Sequence, residues 1–127
     1  MERLKLEHAS ALAMLFSEFH LAGYEAHFHP HPMDQSTAAS ICAKTGKDYY
    51  CCAWDGQAAL SYGFLRGYDQ GHSIPTLGIA VSPARLGLGL ARYMMHHLHA
   101  EARRFGSSRI RLKVYPTNII AHDLNFR

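Results

Sequence analysis

The sequence predicts an α/β domain with a mixed sheet covered by helices, and three stretches carry that expectation. Residues 75–115 run strand, helix, strand, the order of a parallel crossover unit. Residues 47–69 read as two strands around Asp55-Gly56, a dipeptide suited to the tight turn of an antiparallel hairpin. Residues 8–21, HASALAMLFSEFHL, place Leu12, Leu15, Phe16 and Phe19 at helical spacing. At 127 residues the chain fits one domain, 1–127, with one core.

The elements follow in order. RLKL at 3–6 alternates and reads as an opening strand. The helix at 8–21 stops near Gly23. HFHPHPMD, 27–34, is not regular helix, because Pro30 and Pro32 each remove a donor and crowd the preceding turn. Ser36 or Thr37 is suited to cap a short helix reaching Ala43. The hairpin comes next, then IPTLGIAVS, a strand buried on both faces. The helix at 88–105 gathers Leu90, Ala91, Met94, Leu98, Ala102 and Phe105 on one stripe, and Gly106 ends it. SRIRLKVYP alternates Ile110, Leu112 and Val114 against Arg109, Arg111 and Lys113. Residues 118–125 read as the start of a last helix.

Composition narrows the function. A net charge of +3 favours an anionic ligand but is too small to argue for nucleic acid. No apolar run reaches the ~18 residues of a membrane span. MERLKLEH carries charges where a secretory signal is apolar, so a cytoplasmic protein is expected. Cys42, Cys51 and Cys52 are odd in number and two are adjacent, which fits free thiols in a reducing compartment. Cys51 and Cys52 fall on opposite faces of their strand.

The informative stretch is AVSPARLGLGLARYMMHHL, 80–98. Gly87 and Gly89 stand where a strand hands over to a helix. The first amides of a helix lack intrahelical partners, and the helix dipole adds partial positive charge there. Glycines remove the Cβ atoms that keep a ligand away, so such a turn suits a phosphate. The spacing matches neither G-x-x-x-x-G-K-[ST] nor G-x-G-x-x-G. A bare structural turn is the plainer alternative for the pair taken alone.

Residues 77–124 together resemble the GCN5-related N-acetyltransferase (GNAT) superfamily. An apolar strand ends in Val81-Ser82-Pro83, and a glycine turn, a long helix and a strand ending near Val114 follow. Asn118-Ile119-Ile120-Ala121-His122-Asp123-Leu124 then supplies N-x-x-A-x-x-L. The resemblance implies the acyl-CoA N-acyltransferase fold, with a mixed, largely antiparallel central sheet flanked by helices. It implies acetyl-CoA as co-substrate, no metal, and transfer of the acetyl group to the amine of a small molecule, with a peptide amine as a second acceptor. The family signature [QR]-x-x-G-x-[GA] falls on Leu86, Gly87, Leu88, Gly89, Leu90 and Ala91, with Gly89 and Ala91 in its fourth and sixth places. That backbone would hold the diphosphate. Free backbone groups of Ile79, Ala80 and Val81 would bond the pantetheine arm like an added strand, and Asn118 would lie near the arm or the reaction centre.

Three departures stand out. Leu86 replaces the Gln or Arg, with Arg85 one place early. Asn125 stands where the family often has a proton-donating tyrosine. The sequence stops at Arg127, where the family normally continues into two more strands. One of those strands usually pairs with the strand at 108–115, so an open edge is expected there, covered by a homodimer.

The reaction implied is direct attack of the amine through a tetrahedral intermediate, with a backbone N–H on the oxyanion. A base must first deprotonate the amine. The loop with His27, His29 and His31 roofs the acceptor site in the resembled family, so His29 and His31 are the first candidates, and Asp69 with His72 the second. Surface or packing histidines are the plainer reading of each. Zinc at the three loop histidines lacks a convincing fourth ligand. His96, His97 and His99 read as exposed helix positions. Arg103, Arg104, Arg109, Arg111 and Lys113 form the densest basic group, either a solvated face or a contact for the cofactor's 3′-phosphate. Two other classes compete: a coenzyme A-binding protein without useful catalysis, and a basic nucleic-acid-binding module. The latter lacks the interleaved aromatics that stacking wants.

Overall fold

Alternation along residues 49–66 forms the hairpin. Strand β1 (Tyr49–Asp55) and strand β2 (Ala58–Arg66) pair antiparallel across a turn in which Gly56 has φ 61°. The computed structural model describes residues 1–115 and 119–125. Strand β3 (Thr76–Val81) pairs antiparallel with β2, and strand β4 (Arg109–Tyr115) pairs parallel with β3. Helix α3 (Leu90–Arg104) makes the crossover between β3 and β4. Among the described residues the sheet order is β1-β2-β3-β4-β5, with β5 spanning Ile119–Asn125. One parallel pair among antiparallel ones makes the sheet mixed and largely antiparallel, as expected.

Two cores sandwich this sheet. On one face, helix α1 (Ala9–Leu21) lays Leu12, Leu15, Phe16 and Phe19 against Tyr50, Cys52, Tyr62, Phe64 and Ala80. Helix α2 (Gln35–Ala43) completes that layer with Ala38, Ile41 and Cys42. On the other face, Met94, Leu98 and Ala102 of α3 meet Cys51, Leu65, Leu77, Ile79, Val81 and Ile110. Cys51 and Cys52 thus enter opposite cores, as the strand period requires. Burial pushes the Cys51 thiol up to about 12 and the Cys52 thiol up as well, so both are inert apolar fillers. Gly78 sits beneath Phe64, and a Cβ there would lie within 2.9 Å of three ring carbons.

Four expectations are corrected. Residues 3–6 form no strand: Arg3 makes an isolated bridge with Cys51, and the Leu4 amide donates to the Tyr50 carbonyl at 2.8 Å. Asp34, not Ser36 or Thr37, caps α2, its Oδ1 accepting from the Thr37 amide at 2.7 Å. The long helix starts at Leu90 rather than 88, because Gly89 is left-handed and serves as its N-cap. Residues 119–125 are strand β5, not helix, and pair antiparallel with β4. An edge strand exposes a row of donors and acceptors, and β5 satisfies that row on β4. The edge expected to be open is therefore filled from within the chain, and a partner copy is not needed to cover it.

Candidate functional site

The chain leaves β3 through Ser82, makes a single 3-10 turn at Pro83–Arg85, and reaches Gly87 and Gly89 with φ of 83° and 79°. Both angles are in the region L-residues avoid, so the glycines are what permits this turn. A Cβ added at either would meet nothing within 4 Å, so the turn borders open space. Gly89 offers no capping side chain, and the first turn of α3 holds no acidic residue. The Leu90, Ala91 and Arg92 amides are the orphan donors of a helix start. This is a main-chain anion cradle of the shape a diphosphate fits.

Helix α1 and the 3-10 turn Tyr24–Ala26 that follows it brace the approach to that turn. The Tyr24 hydroxyl donates to the Val81 carbonyl at 2.8 Å, in a buried position. The Ser82 hydroxyl donates to Glu18 Oε1 at 2.5 Å. Ile79 and Ala80 pair with Val114 and Tyr115 of β4. The free edge expected at Ile79–Val81 is therefore occupied up to Ala80, because β4 runs the length of β3. Beyond the ladder only Val81 remains, and its carbonyl already serves Tyr24. Asn118 lies outside the described residues.

At the other end of β3 a cavity of about 1140 Å³ opens. The rise of a strand, ~3.3 Å per residue, puts Thr76 in its wall about 17 Å from Val81. The cavity wall brings together His29, His31, Asp69 and His72, which the sequence offered as two separate sets. Lys44, Asp48, Tyr50, Arg66 and Arg111 join them. His27 is not in that wall. Among the described residues no group of three His, Cys, Asp or Glu is arranged to hold a metal ion.

The candidate bases differ in freedom. His31 Nδ1 lies 2.8 Å from the Pro32 carbonyl and must be the protonated nitrogen. Nε2 then accepts from the buried Tyr62 hydroxyl at 2.8 Å. Burial lowers the His31 pKa, which favours the neutral ring. Asp69 Oδ1 accepts from the Lys47 amide at 2.5 Å. Asp48 Oδ1 reciprocates, taking the Gly67 and Asp69 amides at 3.0 and 3.1 Å. The two carboxylates clasp two loops together. His29 is exposed at the wall.

Comparison with known families decides the classification. The model of the Acetyltransferase (GNAT) family matches residues 12–124. The chain belongs to the GNAT family. Among solved structures, this GNAT chain resembles the ribosomal-protein-S18-alanine N-acetyltransferase of Escherichia coli, at 20% identity and TM-score 0.61, over 87% of this chain and 63% of that one. A GCN5-related N-acetyltransferase from Kribbella flavida matches at 18% identity and TM-score 0.68, over 87% and 68%. PaiA N-acetyltransferase from Thermoplasma acidophilum, in complex with coenzyme A, matches at 11% identity and TM-score 0.68, over 92% and 79%. The chain thus spans 63% and 68% of the length of the first two relatives. No curated protein matches the sequence.

The GNAT frame redistributes other candidates. His97 is not a free surface residue, since its Nε2 and the Tyr49 hydroxyl are hydrogen-bonded at 2.7 Å. The basic group at 103–113 divides: Arg104 pairs with Glu101 at 3.0 Å on α3, while Arg111 lines the cavity on the opposite face. Sequence reasoning missed Arg66, Tyr50 and Lys44. For Arg66 a signal existed: it continues the alternation of Tyr62 and Phe64, so an arginine follows two aromatics onto one buried face.

Proposed function

We propose that the protein is an acetyl-CoA-dependent N-acetyltransferase acting on the amine of a small molecule, with a peptide amine as the second acceptor class. The observation that carries this reading is the pair of left-handed glycines at an uncapped, open helix start, directly after β3. Acetyl-CoA would supply an acetyl group activated as a thioester. The backbone from Leu86 through Gly87, Leu88, Gly89, Leu90 and Ala91 would hold its diphosphate. Of Ile79, Ala80 and Val81, only Val81 lies past the β4 ladder, and it would meet the arm where the arm leaves the turn, while Asn118 remains a candidate contact. The acceptor would occupy the cavity walled by His29, His31 and Asp69.

An amine of pKa about 10 must lose a proton before it attacks. His31 is the strongest of the three candidate bases. Its tautomer leaves Nε2 as the acceptor, and burial keeps the ring neutral. To take a proton it must give up the Tyr62 bond. His29 would act from the exposed rim, and Asp69 would have to leave the loop clasp. Three free buried cysteines support a reducing, cytoplasmic setting.

A second reading, coenzyme A binding with little catalysis, draws support from Asn125 in place of a proton-donating tyrosine. Release of coenzyme A thiol from acetyl-CoA, followed with a panel of amines, separates the two. Amine-dependent release supports the transferase. Tight binding without release by any amine supports the binder.

A further inference from the structure

The cavity wall holds more positive charge than its carboxylates balance. Arg66, Thr76 and Arg111 stand side by side on β2, β3 and β4 as register partners, and all three line the cavity. Arg111 has Asp123 as its own register neighbour on β5. Arg66 lies one step past the last rung of the β1 ladder, Tyr49–Leu65, where the next residue of the facing chain is Asp48, whose Oδ1 is taken by the Gly67 and Asp69 amides. The Arg66 guanidinium is held from behind. Its Nη1 donates to the Pro30 carbonyl at 2.7 Å, its side chain hydrogen-bonds Tyr50, and its Cζ lies 5.5 Å from the Phe64 ring centroid. A guanidinium has five donors, so these contacts leave donors to spare. Among residues 1–112 no carboxylate lies within 4 Å of it. The two carboxylates of the wall, Asp48 and Asp69, each have an oxygen committed to main-chain amides. Lys44 adds a further cation at the wall.

We propose that Arg66 is an anion subsite, and that the acceptor carries a carboxylate as well as the amine to be acetylated. A half-buried, pre-oriented guanidinium fork suits a planar carboxylate, which it can bind through two parallel bonds. The inference rests on the transferase reading for the word acceptor, but the anion site stands on the cavity alone. With the thioester carbonyl beside the strand at 79–81, as the family resemblance implies, the acetyl group would lie about 10 Å or more along β3 from Thr76. The amine and the carboxylate are thus separated by a chain of several methylenes.

The test uses ω-amino acids from glycine to 6-aminohexanoate, each against the alkylamine of the same chain length. Binding to the protein is followed by NMR, and turnover by thiol release from acetyl-CoA. An ω-aminophosphonate series serves as a second oxyanion. The proposal expects at least one ω-amino acid to bind tenfold or more tightly than its alkylamine. Arg66→Met keeps the stem over Phe64 and should erase that advantage, and Arg66→Lys should restore only part of it. Thermal melts check that both variants fold. Equal binding of acids and alkylamines throughout the series, or an advantage that survives in a folded Arg66→Met, overturns the proposal. A preference for phosphonate over carboxylate overturns its carboxylate assignment. Failure of coenzyme A to bind would instead count against the transferase reading, since the carboxylate comparison is read without it.

Discussion

Replacing Gly89 by alanine and by glutamate separates the cost of the turn from the presence of a ligand in it. Gly89 has φ 79°, so any L-residue there costs about 1–2 kcal/mol of backbone strain. The added Cβ clashes with nothing in either variant, because the space within 4 Å of it is open. Alanine should therefore lose about 1–2 kcal/mol in urea unfolding, and glutamate less by about 0.3–1 kcal/mol, because its carboxylate can meet the orphan amides of the helix start. Binding should part them. A diphosphate at the turn takes charge-assisted bonds from amides, each worth about 1.5–3 kcal/mol. A glutamate carboxylate placed over the same amides competes for them and repels the ligand. Losing one such bond weakens coenzyme A about tenfold to about a hundredfold. Alanine, uncharged and one carbon in size, should fall between wild type and glutamate. Calorimetry on folded protein reads the affinities. Wild-type affinity in a folded Gly89→Glu would refute the placement of the diphosphate, whatever its stability.

Three more outcomes follow from the packing and the titrating groups. Gly78→Ala drives a methyl into the buried Phe64 ring and should cost about 1–3 kcal/mol or more in chemical denaturation; an unchanged midpoint would contradict this packing. Asp48→Ala strips the acceptor from the Gly67 and Asp69 amides, so both should exchange with deuterium faster, and unaltered protection would deny the clasp. Burial holds His31 and His97 below the ordinary imidazole value of about 6.5. The unfolded chain therefore binds more protons as pH falls under that value. Their stabilisation is whole above about 6.5 and is lost as pH falls through the folded values. Urea midpoints should drop on acidification below about 6.5, and His31→Gln with His97→Gln should shrink that drop; an identical drop in the double variant would refute it.

Periodicity made most of the fold legible. Leu12, Leu15, Phe16 and Phe19 repeat at helical spacing because one face of α1 meets the sheet, and all four are buried. The alternation of Tyr62, Phe64 and Arg66 against Gly63 and Leu65 records the two faces of β2. It failed at 119–125, where Ile119, Ile120 and Leu124 fit either period. There the unsatisfied edge of β4 decided for a strand, and that is a tertiary fact. The glycine turn was legible because positive φ selects glycine itself. The cavity was not. It gathers residues from 29–31, 37–50, 64–76 and 111, segments that only the fold brings together. Composition could not foretell that Asp69 would serve a loop or that Tyr62 would hold His31.

The central claim is that main-chain amides at the start of α3 grip the diphosphate of coenzyme A. Titrating coenzyme A into ¹⁵N-labelled protein tests it most directly. The account predicts the largest amide shifts at Leu88 through Arg92, shared by adenosine diphosphate and absent with pantetheine alone. Shifts that gather elsewhere, with these amides unmoved, would contradict it.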